Sequence, residues 1–358
     1  MSINAGFHKL KIAEVRRETP DAVSIRFEIP DALKDLFAFK AGQHLTLRTE
    51  MNGEDVRRNY SVCAAPHERE IRIAVKQMPG GRFSGWANSA LAAGHTIEVL
   101  PPLGRFVLPE KNGNASYYVA LAGGSGITPV LSIIKAGLQQ DPSARFTLLY
   151  GNRDSASIMF LEELAGLKNR YLDRLEVYHF LENEAEEVEL FNGRLDRAKC
   201  DEVFSGLVDT AAVDAFFICG PGPMMDAAEG VLLDRNIPKE RIHIERFTAD
   251  RPAGAVVREL AELQTQAEGV SVAVTLDGRT RRVPFTESNI LESALAAGLR
   301  APFACKAGVC ATCRAKVTKG KVEMAVHYGL TDEEVAEGYV LTCQSVPIGD
   351  GVAVDYDA

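Results

Sequence analysis

Four cysteines constrain this chain more than any other feature: Cys305, Cys310, Cys313 and Cys343, spaced C-x4-C-x2-C-x29-C. Three of them fall within the nine positions of CKAGVCATC, so they must leave one irregular loop, and the fourth must arrive on a separate element and close the cage. Four thiolates so spaced can ligate a 2Fe–2S cluster, two sulfurs to each iron. Gly308 allows a backbone conformation that turns the loop's amides inward, where a side chain would obstruct. Structural zinc is the alternative, but it usually takes four cysteines as two C-x2–4-C knuckles, and this chain has one.

The start, MSINAGFHKLKI, lacks the apolar core of a secretory signal, which leads us to expect a reducing cytoplasm and cysteines used for metal or redox chemistry rather than disulfides. No window approaches the run of roughly 18 apolar residues that a membrane span requires. A formal charge of −9 without clustered Lys and Arg argues against nucleic acid as a partner. At 358 residues, with 46% apolar and 25% charged side chains, the chain is expected to build two or three ordinary globular cores.

Residues 8–110 alternate β-branched runs (HKLKIAEVRR, AVSIRFEIP, QHLTLRTE, REIRIAVKQ, HTIEVLPP) with turn signals such as Asn52-Gly53, the pattern of an antiparallel β-barrel. From Ser116 the pattern becomes YYVALA, RFTLLYG, RLEVYHF and AFFICG separated by helical stretches, which is a parallel α/β sheet. TADRPAGAVVRELAELQTQAEG reads as a linker with a short helix at Ala255–Ala267. Beyond it, SVAVTL-DG-RTRRVPF predicts a hairpin, and Ser288 is expected to cap a helix that carries Ile290, Leu291, Ala294 and Leu295 on one face and stops at Gly298. The domains expected are 1–112 (β-barrel), 113–248 (α/β), 249–267 (linker) and 268–358 (the part that carries the four cysteines).

A one-electron cluster needs an electron source, and flavin is the usual carrier that takes hydride and releases electrons singly. In RRNYSV, Arg58 and Tyr60 share one strand face and can meet a flavin's phosphate and ring together, while Ser61 points oppositely and can donate through its backbone or hydroxyl. An exposed Arg beside a core Tyr is the plainer reading of that short stretch. VKQMPGGRFS places Gly80-Gly81 before a helix opened by Ser84, where free N–H groups can face a diphosphate. YYVALAGGSGITPV gives a strand, a glycine-rich loop and a helix start, with Thr128 as the expected cap and Pro129 at the first helical position. This is not G-x-G-x-x-G, so the dinucleotide fingerprint is not claimed. AFFICGPGPMM leaves Cys219 at the carboxyl edge of the sheet, where open α/β sheets bind ligands; Cys63 and Cys200 read as small buried residues.

In order and spacing, residues 8–248 resemble the ferredoxin–NADP reductase family, and residues 268–358 resemble the plant-type ferredoxin family, which implies a β-grasp fold. The resemblance puts the flavin motif on Arg58, Tyr60 and Ser61 and the second phosphate motif on Gly81 and Ser84, which favours FAD over FMN. It puts the pyrophosphate loop on Gly123, Gly124, Gly126, Thr128 and Pro129, and the nicotinamide-side motif on Cys219 and Gly220. Glu245 and Phe247 match the positions that close the flavin site in bacterial relatives. The chain continues past Phe247, so a terminal aromatic covering the flavin has no strict counterpart. Cys219 and Glu245 are the expected catalytic pair.

Reductase followed by ferredoxin is similar to the reductase component of multicomponent oxygenases, which implies a protein partner that accepts electrons, with NAD(P)H as donor. Arg153 follows the second α/β strand and Arg194 is a second cation; either can pair with a 2′-phosphate, so NADPH is expected, with NADH possible. Lys306, Arg314 and Lys316 are expected to make the cluster rim basic and to steer an acidic partner. The rivals are reductases of ring-hydroxylating or steroid oxygenases or of hybrid-cluster protein, a non-enzymatic redox relay, and a zinc-stabilised scaffold.

Overall fold

The computed structural model describes residues 6–109, 116–247 and 269–358. The expected linker and its helix lie outside these. The chain divides into two compact units, Ala5–Glu245 and one comprising Arg246–Ala358.

The first unit opens with six antiparallel strands: β1 (His8–Thr19), β2 (Ala22–Glu28), β3 (His44–Met51), β4 (Glu54–Ser61), β5 (Ile71–Lys76) and β6 (Thr96–Val99). Their order is β4-β3-β6-β1-β2-β5, and a bridge from Val62 to Ile73 joins the two ends into a barrel. Leu10, Ile12, Ile25, Leu45, Leu47, Ile73 and Val99 fill its interior. Asn52 and Gly53 both have positive φ, the tight turn that the Asn-Gly pair predicts between β3 and β4. Helix α1 (Arg82–Ser89) lies between β5 and β6.

A parallel sheet follows, with β7 (Tyr117–Gly123), α2 (Ile127–Gln140), β8 (Arg145–Asn152), α3 (Leu161–Arg170), β9 (Leu175–Leu181), α4 (Arg197–Gly206), β10 (Ala215–Cys219), α5 (Gly222–Asp234) and β11 (Ile242–Glu245). The order is β11-β10-β7-β8-β9. One face packs on α2 and α3, the other on α4 and α5, so the strands are apolar on both sides. Strand order reverses between β7 and β10, and a doubly wound sheet opens its ligand crevice at that point, beyond the carboxyl ends of the strands.

Barrel and sheet share a core: Ala22, Ala41, Cys63, Ala74 and Phe106 pack with Tyr118, Ile133, Ile134 and Phe217. Polar bonds span the same seam. Ser132 Oγ donates to Ala64 O at 2.6 Å, and Lys135, 3% exposed, reaches Glu68 Oε2 at 2.6 Å and Glu163 Oε1 at 2.7 Å. Arg72 forks onto both oxygens of Glu163 at 3.0 and 2.8 Å.

In the second unit, β12 (Ser271–Leu276), β13 (Arg279–Pro284), β14 (Arg314–Met324), β15 (Tyr339–Leu341) and β16 (Ser345–Asp355) form one mixed sheet in the order β13-β12-β16-β14-β15, and α6 (Ile290–Ala296) and α7 (Asp332–Ala336) complete an α+β fold. Asp277 and Gly278 have positive φ, as the Asp-Gly hairpin requires. Ile290, Leu291 and Ala294 are buried and Gly298 sits at φ +78 just past the helix end, as the periodicity predicts. The cap differs: Asn289, not Ser288, accepts the Glu292 N–H at 2.9 Å, while Ser288 Oγ accepts from the Asn289 amide. Two adjacent capping residues compete here, and the longer amide reaches the third helical N–H.

Candidate functional site

Two glycine-rich loops meet at the reversal point. A Cβ on Gly126 would stand 1.9 Å from Cys219 O, and one on Gly123 would stand 2.5 Å from Pro221 Cδ; Gly220 in turn lies against Gly123, where a Cβ would come within 2.9 Å of its nitrogen. Packing of the β7 loop on the β10 loop therefore requires these glycines. Gly124 is different: its φ is +51 and its Cβ position is open, 3.8 Å from Lys76 Nζ. That opening, with a cation at its edge, suits a phosphate. Lys76 belongs to the barrel strand β5, and no motif in the sequence marks it. It lies 3.9 Å from Asp21 Oδ2, which also takes a hydrogen bond from Arg153 Nη2 at 3.1 Å. Burial pushes the Lys76 ammonium below an ordinary lysine, with Asp21 opposing.

The expected caps shift. A 3₁₀ turn over Gly124–Gly126 leads directly into α2, so Thr128 lies inside the first turn and donates to Ser125 O at 3.0 Å, and Pro129 falls at the third helical position. Likewise α1 starts at Arg82 with Gly81 as its N-cap, and Ser84 sits in the first turn, accepting the Met78 N–H at 3.0 Å.

Around the expected flavin strand, Tyr60 packs at a tilt against Phe83 with ring centroids 5.5 Å apart, and burial pushes its phenol up. Arg58 is exposed and, among the described residues, donates only to the neighbouring Arg57 O. Ser61 is buried, with Oγ 3.4 Å from Glu245 Oε2, and His44 Nδ1 lies 3.7 Å from Glu245 Oε1. His44, on β3 and also missed in the sequence, keeps Nε2 buried without a hydrogen-bond partner among the described residues. Cys219 pairs in register with Glu245 on the adjacent strand and is fully buried, which pushes its thiol well up. Cys63 and Cys200 are buried as expected, each pushed up to about 12 by burial. Phe247 is exposed and falls in the second unit.

The four thiols shift one another in pairs: Cys305 beside Cys310 holds the Cys310 thiol well below its ordinary value, and Cys313 beside Cys343 lowers that of Cys343. No three His, Cys, Asp or Glu side chains among the described residues gather as a single-ion site needs. Two thiol pairs are the donor set of a binuclear cluster with two sulfurs per iron. The loop's amides face sulfur, with Cys305 N 3.5 Å from Cys310 Sγ and Ala307 N 3.3 Å from Cys305 Sγ. Gly308 has φ +74, and a Cβ there would press on Val326 and Gln344. The residues fit the cluster.

The basic rim needs correction. Lys306 pairs with Glu292 at 2.8 Å and Arg314 with Glu334 at 2.6 Å, while Lys316 lies over the Tyr339 ring. Carboxylates from α6 and α7 balance two of the three cations. Arg194 is also engaged, with Glu182 at 2.9 Å.

Barrel, doubly wound sheet and paired thiols together define a flavin- and nicotinamide-binding oxidoreductase with its own iron–sulfur domain. Residues 9–108 match the oxidoreductase FAD-binding domain, 120–230 the oxidoreductase NAD-binding domain, and 274–347 the 2Fe-2S iron-sulfur cluster binding domain. The chain belongs to the family of reductase components of oxygenase systems. It is 43% identical over 354 residues to the E component of 1,2-phenylacetyl-CoA epoxidase from Escherichia coli (strain K12), covering 98% of each chain. It is 34% identical to the ferredoxin reductase component of 3-ketosteroid-9-alpha-monooxygenase from Rhodococcus rhodochrous, covering 97% of this chain and 96% of that one. Among solved structures, phthalate dioxygenase reductase superposes with a TM-score of 0.62 at 25% identity, over 98% of both chains. No helix among the described residues is long and apolar enough to cross a membrane.

Proposed function

We propose that this chain takes reducing equivalents from NADPH and delivers them one at a time to a phenylacetyl-CoA epoxidase in the cytoplasm. The 43% identity to the Escherichia coli epoxidase component, across 98% of both chains, carries the choice of partner. When bound, FAD accepts a hydride and gives up its electrons singly, and a 2Fe–2S cluster carries one.

The chain's own residues do mostly positional work, since hydride transfer needs alignment more than a strong acid or base. The crevice between the β7 and β10 loops takes the nicotinamide nucleotide, its pyrophosphate over Gly124 beside Lys76. Cys219 and Gly220 shape the nicotinamide side, and Arg58, Tyr60, Ser61, Gly81 and Ser84 hold FAD. Ser61 Oγ faces Glu245, and Glu245 faces His44, so a proton set down at Ser61 Oγ has a carboxylate to move to and an imidazole behind it. Arg153 favours a 2′-phosphate by leaving Asp21 for it. Cys305, Cys310, Cys313 and Cys343 hold the cluster, and the boundaries 1–112, 113–248, 249–267 and 268–358 separate the parts.

The oxygenase components of phenylacetyl-CoA epoxidase, supplied with this protein, should turn over phenylacetyl-CoA with NADPH, whereas a ring-hydroxylating oxygenase should stay idle. Support of the second and not the first overturns the assignment, and a higher kcat/KM for NADH overturns the nucleotide preference.

A further inference from the structure

We propose that Gln344 sets the reduction potential of the cluster by directing its side-chain amide at the sulfur of Cys343; the proposal rests on the four cysteines holding a 2Fe–2S cluster. Gln344 immediately follows the fourth ligand and is 3% exposed. Its Nε2 lies 2.9 Å from Lys306 O, 2.9 Å from Cys343 O and 3.7 Å from Cys343 Sγ. Both near acceptors are carbonyls, so the nitrogen, not the oxygen, must occupy this place. Lys306 belongs to the loop that carries the other three thiols. The nitrogen has two hydrogens for three acceptors: one ties the loop at Lys306 O, and the other is shared between Cys343 O and Cys343 Sγ, which brings that N–H within reach of the fourth sulfur.

Two observations separate this role from simple packing. The Oε1 atom is buried with no hydrogen-bond partner among the described residues, a cost that an apolar side chain would avoid. Gly308, at φ +74, brings the loop so close that a Cβ would stand 3.0 Å from Gln344 Cγ, which fixes the amide's stem. Reduction places one more negative charge on the cluster and its sulfurs. An N–H aimed at a ligand sulfur stabilises that charge and raises the potential, and burial of Cys343 and Gln344 keeps the effect unscreened.

The test is a redox titration of full-length holoprotein followed by the EPR signal of the reduced cluster, wild type against Gln344→Leu. Loss of the N–H should lower the constant for one-electron reduction about tenfold, or ~59 mV, with the flavin potential unmoved. A cluster-loaded Gln344→Leu protein with the wild-type potential overturns the proposal, leaving Gln344 a clamp. Should that variant fail to hold its cluster, wild-type protein carrying ¹⁵N in its glutamine side chains decides. Pulsed EPR must then show a ¹⁵N coupling to the reduced cluster, and its absence overturns the proposal equally. Wild-type protein with no reducible 2Fe–2S signal overturns the underlying cluster reading and this proposal with it, an outcome distinct from a normal cluster whose potential does not move.

Discussion

Glu245 faces a hydroxyl with one oxygen and an imidazole with the other, and substitution can separate those contacts. Glu245→Gln keeps the shape but removes the proton acceptor from Ser61, and we expect kcat for NADPH oxidation to fall by about a hundredfold, the low end of positioned proton transfer, with little change in KM. Steady-state assays with an artificial acceptor check this; equal loss of kcat and rise of KM would instead mean that Glu245 only shapes the nucleotide site. His44→Ala should reproduce part of the kcat effect. Neither His44 nor Lys76 was legible in the sequence, because each reaches the site from a barrel strand across a contact no local pattern encodes. The cysteines were legible because three of the four ligands lie within one loop.

At the scale of elements, two glycines in one loop make opposite demands. Gly126→Ala drives a Cβ to 1.9 Å from Cys219 O, so the β7 and β10 loops must part; we expect a cost of about 1–3 kcal/mol in thermal or denaturant unfolding and a clear rise in nucleotide KM. Gly124→Ala meets no atom nearer than 3.8 Å and should cost only about 1 kcal/mol for its left-handed backbone, while intruding on the bound phosphate. The glycine-rich motif was legible, but the frame of the helix after it was not: a 3₁₀ turn of glycines begins the coil early and carries no capping signature, so Thr128 and Pro129 land deeper than expected. The basic rim failed for a related reason. Its neutralising partners, Glu292 and Glu334, sit on helices separate in sequence from the thiol loop.

The seam between barrel and α/β sheet gives a pH prediction for the Ala5–Glu245 unit. Burial alone would raise the Glu163 carboxyl, but hydrogen bonds from Arg72 and the charge of Lys135 outweigh it and hold the group below its ordinary 4.5. A carboxyl depressed on folding contributes stability that is complete above the ordinary value and is lost as pH falls through the depressed one. Glu163→Gln should therefore lower the melting temperature at neutral pH and flatten the acid limb below about pH 4.5. Lys135→Met leaves Glu163 to Arg72 alone and Glu68 without its lysine, and should cost about 1–3 kcal/mol. An acid limb unchanged in Glu163→Gln would show that the seam does not titrate with folding.

Across the whole molecule, the order of electron carriers can be cut between the units. The first unit has two sheets and the second has one, and each unit has its own buried core, so damage to the thiol cage should not reach the flavin site. Cys343→Ser removes one of the four ligands, a buried one, and the cluster should be lost or become labile. Ferricyanide can draw electrons from the flavin, so its reduction by NADPH should persist near the wild-type rate. Transfer to the oxygenase should fall to background, because that route needs the one-electron carrier. If Cys343→Ser protein still supports the oxygenase at the wild-type rate while lacking iron and labile sulfide, electrons leave from the flavin itself and the second unit has some other use.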